Sequence, residues 1–175
     1  MWPFGRSKPK LQQRVKDAHE LIIGLAEKTT PALLATTIGD DWQNQAANQF
    51  APMRVECLMF QLHLTDRLVN ARLREHRAEF MDTLLPLTYL DIPNELQASF
   101  EETYNNRQQL YGSCKKVYAD KDEAFRGTLM WEFGKAITYQ FCGEIPVDKV
   151  MGVVGYGALL LESLDTGYKV CGVLN

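Results

Sequence analysis

The sequence predicts an all-α protein, a single-domain bundle of five to seven helices joined by short loops. Apolar residues recur at spacings of three and four along most of the 175 residues, which is the period of a helix packed on one side. Strict alternation of apolar and polar residues, typical of a half-buried strand, never persists. Prolines and glycines stand at most segment ends, where helices are expected to stop.

Length and composition are ordinary for a folded chain. Apolar residues make up 46% and charged residues 23% of the sequence, which excludes a disordered protein, a collagen and a coiled-coil rod. There is no internal repeat and no Ser/Gly linker. We therefore expect one helical domain over residues 9–175, preceded by a basic, flexible leader, residues 1–8.

The first predicted helix runs from about residue 9 to residue 28. Its apolar positions share one face: Leu11, Val15, Ala18, Ile22 and Leu25. The run Thr29–Pro31 is predicted to break or kink this helix, with a short helix from there to Thr37.

The next two helices are placed by possible caps and by proline. Asp40 or Asp41 is a possible cap for a weak helix over Trp42–Phe50. Pro52 suits the first turn of a longer helix that extends from residue 53 to about Glu75.

The second half of the chain contains four further predicted segments. Residues 77–89 form a helix that Pro86 interrupts, and Asp91–Pro93 then opens a helix over 94 to about 118. Another runs from near residue 122 to 141 and stops at Gly143. Pro146 opens the last, over 147 to about 164, and the apolar residues 170–174 are expected to pack back or form an extra turn.

Charge and cysteine content narrow the class of protein. Five bases and no acid lie in residues 1–16, so the rest of the chain is acidic although the net charge is only −3. An acidic body does not favour a nucleic-acid surface, which needs clustered Lys and Arg. Four scattered cysteines without a Cys-x-x-Cys pair, and no signal peptide, predict a cytoplasmic protein.

Three charged residues fall on apolar stripes. Asp66 lies eleven residues after Val55, Arg107 lies seven after Phe100, and Glu132 stands among the apolar residues of its helix. Because an unpaired buried charge is very costly, we predict a buried polar cluster of His63, Asp66, Arg107 and Glu132. The favoured interpretation is an ion pair that fixes helix register, and the alternative is a ligand site.

Metal and catalytic signatures are absent from the sequence. A helical di-metal site would need Glu-x-x-His steps, and none occurs. Glu56, seven residues before His63, shares its face, but the cluster would supply at most three ligands. Only three histidines are present and no Gly-x-Ser-x-Gly motif occurs. The sequence therefore predicts no catalytic residues, no metal and no cofactor.

Two features point to packing between helices. Tyr104, Tyr111 and Tyr118 are spaced by seven, which predicts an interaction stripe on one helix face. The glycines at 152, 155 and 157 would let another helix approach closely.

These observations favour a non-enzymatic protein–protein interaction module that binds a protein partner or a second copy of itself. The alternative is a small-ligand or metal-binding bundle, catalytic or not, centred on the predicted polar cluster. Membrane contact through Trp2, Phe4 and the bases of the leader is not favoured, because interfacial helices are usually longer.

Overall fold

The computed structural model describes residues 10–119 and 125–174. Within these ranges 82% of the residues are helical and none lies in a strand, which confirms the all-α bundle. Six helices of 14 residues or more and one four-residue helix follow one another. They are α1 (Leu11–Thr37), α2 (Trp42–Gln45), α3 (Phe50–Leu73), α4 (Arg77–Leu90), α5 (Asn94–Gly112), α6 (Leu129–Cys142) and α7 (Val147–Val170).

Helix α3 is the centre of the bundle. All eleven residues from Val55 to Thr65 are buried, and α3 packs against α1, α4, α5, α6 and α7. A stretch of helix that is buried around its whole circumference has to be enclosed by other helices. Of its buried polar residues, Glu56, His63 and Thr65 find partners on neighbouring helices.

Glycines allow α7 to approach its neighbours closely. A side-chain carbon at Gly152 would lie 2.7 Å from Thr36 of α1, and one at Gly157 would lie 2.8 Å from the sulfur of Met130 on α6. The expected close approach thus occurs within the chain at these two glycines. Gly155, by contrast, has no atom within 4 Å of the position of an added Cβ.

The predicted break at Pro31 and the predicted interruption at Pro86 are wrong, because α1 continues through Pro31 and α4 through Pro86. Proline removes one backbone donor, whose usual acceptor is the carbonyl four residues earlier. Those acceptors belong to Glu27 and Asp82, which are exposed residues, so water can solvate them. Buried residues on both sides of each proline keep the helix packed.

Helix α5 ends at Gly112, six residues before the predicted end at Tyr118. The following segment bonds instead to the start of α6, where the N–H groups of Leu129 and Met130 donate to the carbonyls of Lys116 and Val117. Thr128 caps α6 by accepting from the N–H of Trp131 at 3.3 Å. The start predicted near residue 122 falls outside the described residues, and residues 125–128 are not helical.

Helix α2 ends at Gln45, five residues before the predicted end at Phe50, and a short 3-10 helix over Ala47–Gln49 leads into α3. Helix α3 then ends at Leu73, close to the predicted end near Glu75. Pro52 lies in the first turn of α3, as expected. Helix α7 extends to Val170, beyond the predicted end, and Gly172 then turns with φ +72°. The N–H of Val173 donates to the Tyr168 carbonyl at 2.8 Å, so that Val173 and Leu174 pack back into the core.

Two further predictions concern the leader and membrane-spanning segments. The leader, residues 1–8, lies outside the described residues. Among the helices that the structure describes, none combines the length and the apolar character needed to cross a membrane.

Candidate functional site

Helix α5 takes part in two contrasting surfaces. Toward α3 it forms a polar interface, in which Arg107 pairs with Glu56 and Gln108 bonds to His63. Arg67 of α3 completes this interface by donating to carbonyls at the end of α5. Toward α4 it forms one wall of an open apolar groove. We refer to these two surfaces as the polar interface and the α4–α5 groove.

The ion pair of the polar interface joins Glu56 to Arg107. Glu56 is 1% exposed, and both of its oxygens accept from the guanidinium, Nε to Oε2 at 2.8 Å and Nη2 to Oε1 at 3.1 Å. Nη2 also donates to Oε1 of Gln140 on α6 at 2.8 Å. Burial by itself lowers the pKa of Arg107, but the Glu56 carboxylate outweighs it and raises that pKa. The Arg107 guanidinium therefore stays charged and ties three helices together.

His63 continues the polar interface two helical turns after Glu56 on α3. Nε of Arg67 donates to its Nε2 at 2.9 Å, because an arginine can only donate. The proton of the neutral ring therefore sits on Nδ1, which donates to Oε1 of Gln108 at 2.8 Å. Burial lowers the pKa of His63, and the neighbouring Arg67 adds to this lowering, while Gln108 opposes it. The ring is thus held neutral between two fixed partners.

Arg67 also holds the end of α5. Its Nη2 donates to the carbonyls of Tyr111 at 3.1 Å and Cys114 at 2.8 Å. Tyr111 lies in the last turn of α5, where carbonyls lack partners within the helix, and Cys114 lies two residues beyond its end. The positive charge also suits the negative end of the helix dipole. This contact of Arg67 was not predicted from the sequence, because a contact to backbone atoms leaves no pattern in the spacing of side chains.

The predicted pairing of Asp66 with Arg107 is not what the structure shows. Asp66 accepts a two-pronged ion pair from Arg77, at 2.8 and 2.7 Å, across the tight turn between α3 and α4. Glu132 pairs with Lys135 on its own helix at 2.8 Å. The shared face of Val55 and Asp66 did not predict the partner of Asp66. Residues 55–65 of α3 are buried on every side, so the apolar spacing does not identify the facing helix.

The predicted tyrosine stripe is also corrected by the early end of α5. Tyr104 and Tyr111 lie on α5, whereas Tyr118 comes after it and is exposed. Tyr111 is fully buried, with its ring edge-on to Phe60 at 5.4 Å, and burial raises its pKa. Its hydroxyl has no hydrogen-bond partner among the described residues. Only Tyr104 of the three faces the α4–α5 groove.

The groove encloses about 980 Å³ between α4 and α5. Its walls are mostly apolar and aromatic, and include Leu85, Pro86, Tyr89, Leu90, Phe100 and Tyr104. Phe100 packs edge-on to Tyr89 and stacks on Tyr104, each at a centroid distance of 5.7 Å. Burial raises the pKa of Tyr104 to about 12, so that its phenol is neutral. The groove is open to solvent at the end of α4, where Leu90 is 76% exposed.

The charges that line the groove have one sign. Asp82 of α4 and Glu101 of α5 are both exposed and both line it, and none of its described lining residues is Lys or Arg. This groove was not predicted from the sequence. The sequence pattern that could have indicated it is the nearly unbroken apolar run at the end of α4, residues 84–90. A helix that packs on one side needs apolar residues only on that side, so this run also places apolar residues on the outer side of α4.

Other candidate sites are separate from these two surfaces. Glu132 lines a pocket of about 300 Å³ with Trp131 and Lys135. Tyr118 lines another, of about 640 Å³, with Leu161 and Asp165. In the described part of the chain, no three His, Cys, Asp or Glu side chains are grouped so that they could hold a metal ion.

Comparison of the chain with known protein families, curated proteins and solved structures found no match. The function is therefore argued from the geometry of the polar interface and the groove.

Proposed function

We propose that this protein is a non-enzymatic protein–protein interaction module and that the α4–α5 groove is its binding surface. The observation that carries the proposal is an open apolar groove of about 980 Å³ whose outer residue, Leu90, is 76% exposed. Contiguous apolar surface in water lowers solubility, and on folded proteins it commonly marks a contact site for another molecule.

The chemistry of the groove defines the kind of partner. The aromatic residues Tyr89, Phe100 and Tyr104 offer flat surfaces to apolar anchor side chains. The acids Asp82 and Glu101 at the groove favour Lys or Arg beside those anchors. The proposed occupant is therefore a short segment of a protein partner, or of a second copy of this chain, with apolar anchors and basic flanks.

The polar interface supports this choice over a ligand site in the bundle. Glu56, Arg107 and His63 direct their hydrogen bonds to side chains of facing helices or of their own helix. This arrangement fits an ion pair that fixes how α3 and α5 lie against each other, as buried polar pairs do in other bundles. We accordingly assign these residues a structural role.

We also propose a cytoplasmic location. Cys57, Cys114, Cys142 and Cys171 are all free thiols in the structure. Burial raises the pKa of the Cys57 thiol to about 12, which keeps that cysteine protonated and unreactive. Thiols that stay reduced fit a reducing compartment.

A peptide display screen tests the proposed function. The full chain is screened against short random peptides, and the expected hits combine aromatic or aliphatic residues with Lys or Arg. The hits are then measured against Leu90→Lys, which should weaken binding by about tenfold or more. The matched control is Val170→Lys, a change at a residue that is 82% exposed on α7, and it should bind like the unchanged protein.

Two results would reject the proposal. One is a screen without enriched sequences, and the other is enriched peptides that bind Leu90→Lys and the unchanged chain equally well. Hits without basic residues would reject only the role of Asp82 and Glu101.

A further inference from the structure

We propose that the α4–α5 groove binds a basic amphipathic helix of another protein. This inference rests on the proposed function and deepens it, since it names the conformation and the charge of the segment that the same groove takes. The space between the two walls, the polar groups of the walls and the position of the acids support it.

The walls of the groove are two helices that a short turn joins but that do not pack on each other along their lengths. The turn comprises only residues 91–93, and helices joined in this way usually pack directly as a hairpin. Here α4 packs on α1 and α3, whereas α5 packs on α3 and α6. The space left between α4 and α5 is thus bounded by a helix on each side, as is the position of an additional helix in a bundle.

Each wall lines the groove over more than two helical turns. On α4 the lining residues run from Asp82 to Leu90, and on α5 they run from Gln97 to Asn105. At 1.5 Å per residue, each stretch is about 12 Å long. A docked helix of this length presents apolar side chains from two or three successive turns, at spacings of three and four residues.

The walls have few polar groups that are free to bond the backbone of an occupant. Backbone groups in the middle of a helix are bonded within that helix. The hydroxyl of Thr83 donates to the Glu79 carbonyl at 2.8 Å. The amide of Gln97 donates to the Ile92 carbonyl at 2.9 Å. These lining side chains are therefore already engaged with their own surroundings.

This shortage of partners favours a helix over an extended segment. An extended segment pressed against the apolar lining loses water from its own N–H and C=O groups, and that loss is costly without new hydrogen bonds. A helix enters the groove with its backbone groups already bonded, so that only its side chains need to fit the lining.

The two acids lie at the same end of the groove. Asp82 is eight residues before the end of α4 at Leu90, and Glu101 is seven residues after the start of α5 at Asn94. Both acids are therefore about 10–12 Å from the turn along their own helices. A helix in the groove meets exposed apolar side chains near the turn and two carboxylates further out. Lys or Arg at one end of its apolar face fits this arrangement.

The charge of the described surface argues against a second copy as the occupant. Two grooves that face each other would bring Asp82 and Glu101 toward the same acids of the other copy. The exposed Leu159 of α7 lies one turn before the acid Glu162, so that part of α7 repeats the charge of the groove. The basic helix therefore belongs to a different protein.

Two peptide libraries test this inference on the full chain. Both contain peptides of about 14 residues, roughly four helical turns, with equal numbers of Leu, Phe and Lys. One library spaces its apolar residues by three and four, as on one face of a helix, and the other alternates them with Lys, as on one face of a strand. We expect selection on the immobilised protein to enrich the helical library over the alternating one by at least about tenfold.

Variants connect the selected peptides to the groove. Proline in the middle of a selected peptide breaks a helix and should weaken binding by about tenfold or more. Asp82→Asn combined with Glu101→Gln should weaken it by about fivefold, since two exposed charge pairs are lost. Leu90→Lys should abolish the selection, and the matched control Val170→Lys should leave it unchanged.

Three results would overturn the helical, basic occupant and leave the groove as a binding surface. They are enrichment of the alternating library, tolerance of proline, and full affinity in the Asp82→Asn/Glu101→Gln variant, each combined with a loss of binding in Leu90→Lys. A dimer in light scattering that Leu90→Lys dissociates would likewise assign the groove to a second copy.

Failure of the proposed function gives a different pattern. If neither library is enriched but the random display screen yields peptides that need Leu90, the helix inference alone is overturned. If no library or screen yields peptides, or if Leu90→Lys binds all of them fully, both the helix inference and the proposed function are rejected.

Discussion

The two sides of α5 differ in what they leave without a partner. Toward α3, the charged and polar groups Glu56, Arg107 and His63 are enclosed and bonded to neighbouring residues. Toward α4, the apolar side chains of Tyr89 and Leu90 are exposed. Burial without a partner is costly for a charge, and exposure is costly for an apolar group. The comparison separates stability from binding: the α3 side holds the fold, and the α4 side is available to another molecule.

The largest expected effect is at the buried ion pair. Arg107→Ala leaves the Glu56 carboxylate buried without its partner, and we expect a loss of about 3–5 kcal/mol in the free energy of unfolding. Glu56→Gln should cost less, because the side chain of Arg107 is 20% exposed and keeps its bond to Gln140. Urea denaturation followed by circular dichroism measures both. Equal losses would contradict the asymmetric burial of the pair.

Two buried tyrosines test how much a hydrogen bond to a buried hydroxyl contributes to stability. Tyr168 shares a 2.7 Å hydrogen bond with Thr65, whereas the hydroxyl of Tyr111 has no partner among the described residues. Tyr168→Phe should therefore cost about 1–3 kcal/mol, and Tyr111→Phe should be neutral or stabilising. Thermal denaturation of the two variants decides this, and an equal loss in both would show that Tyr111 has a partner after all.

The pH dependence of the free energy of unfolding tests the lowered pKa of His63. Because burial lowers its pKa from the ordinary 6.5, the unfolded chain takes up this proton at a higher pH than the folded chain. Stability should thus be full above about pH 6.5 and fall below it, by at most ~1.4 kcal/mol per pH unit, until the folded pKa is reached.

The matched variants for this prediction are His63→Gln and His76→Gln, the second at an exposed residue. His63→Gln should remove the contribution from the slope of unfolding free energy between pH 7 and pH 5.5 (about one His titration range). His76→Gln should retain it. A slope that survives in His63→Gln would assign the acid sensitivity to other groups.

The smallest effect on stability is expected in the groove. Leu90→Lys should change the free energy of unfolding by no more than about 0.5 kcal/mol, because the side chain is already in water. The variant that is most damaging to proposed binding should thus be nearly silent in urea denaturation. A loss comparable to that of Arg107→Ala would show that Leu90 belongs to the core.

The sequence predicted the helical class because periodicity follows from burial on one side of each helix. It predicted the ends of helices poorly where tertiary contacts decide them. Pro31 is tolerated because the carbonyl that loses its donor belongs to the exposed residue Glu27. Helix α5 ends early, and Arg67 binds the carbonyl of Tyr111 in its last turn and that of Cys114 beyond its end. Neither effect is visible in local spacing.

The partners of the polar residues were also not predictable from local spacing. Arg107 was expected on a buried stripe, and the structure pairs it across helices, but with Glu56 rather than Asp66. Sequence spacing places a residue on a face of its own helix and does not determine which helix that face meets. The apolar run of residues 84–90 could have indicated an exposed apolar face on α4, but the groove also depends on where α5 lies against α4, which the sequence does not show.

The enclosed stretch of α3 has a consequence for how the protein opens. Residues 55–65 touch the surrounding helices on all sides, so no fraying of a single outer helix exposes every amide of this stretch. Amide hydrogens there should exchange only when the whole bundle unfolds, and their exchange should report the global free energy of unfolding. The amides of α4 beside the groove should exchange through smaller, local openings.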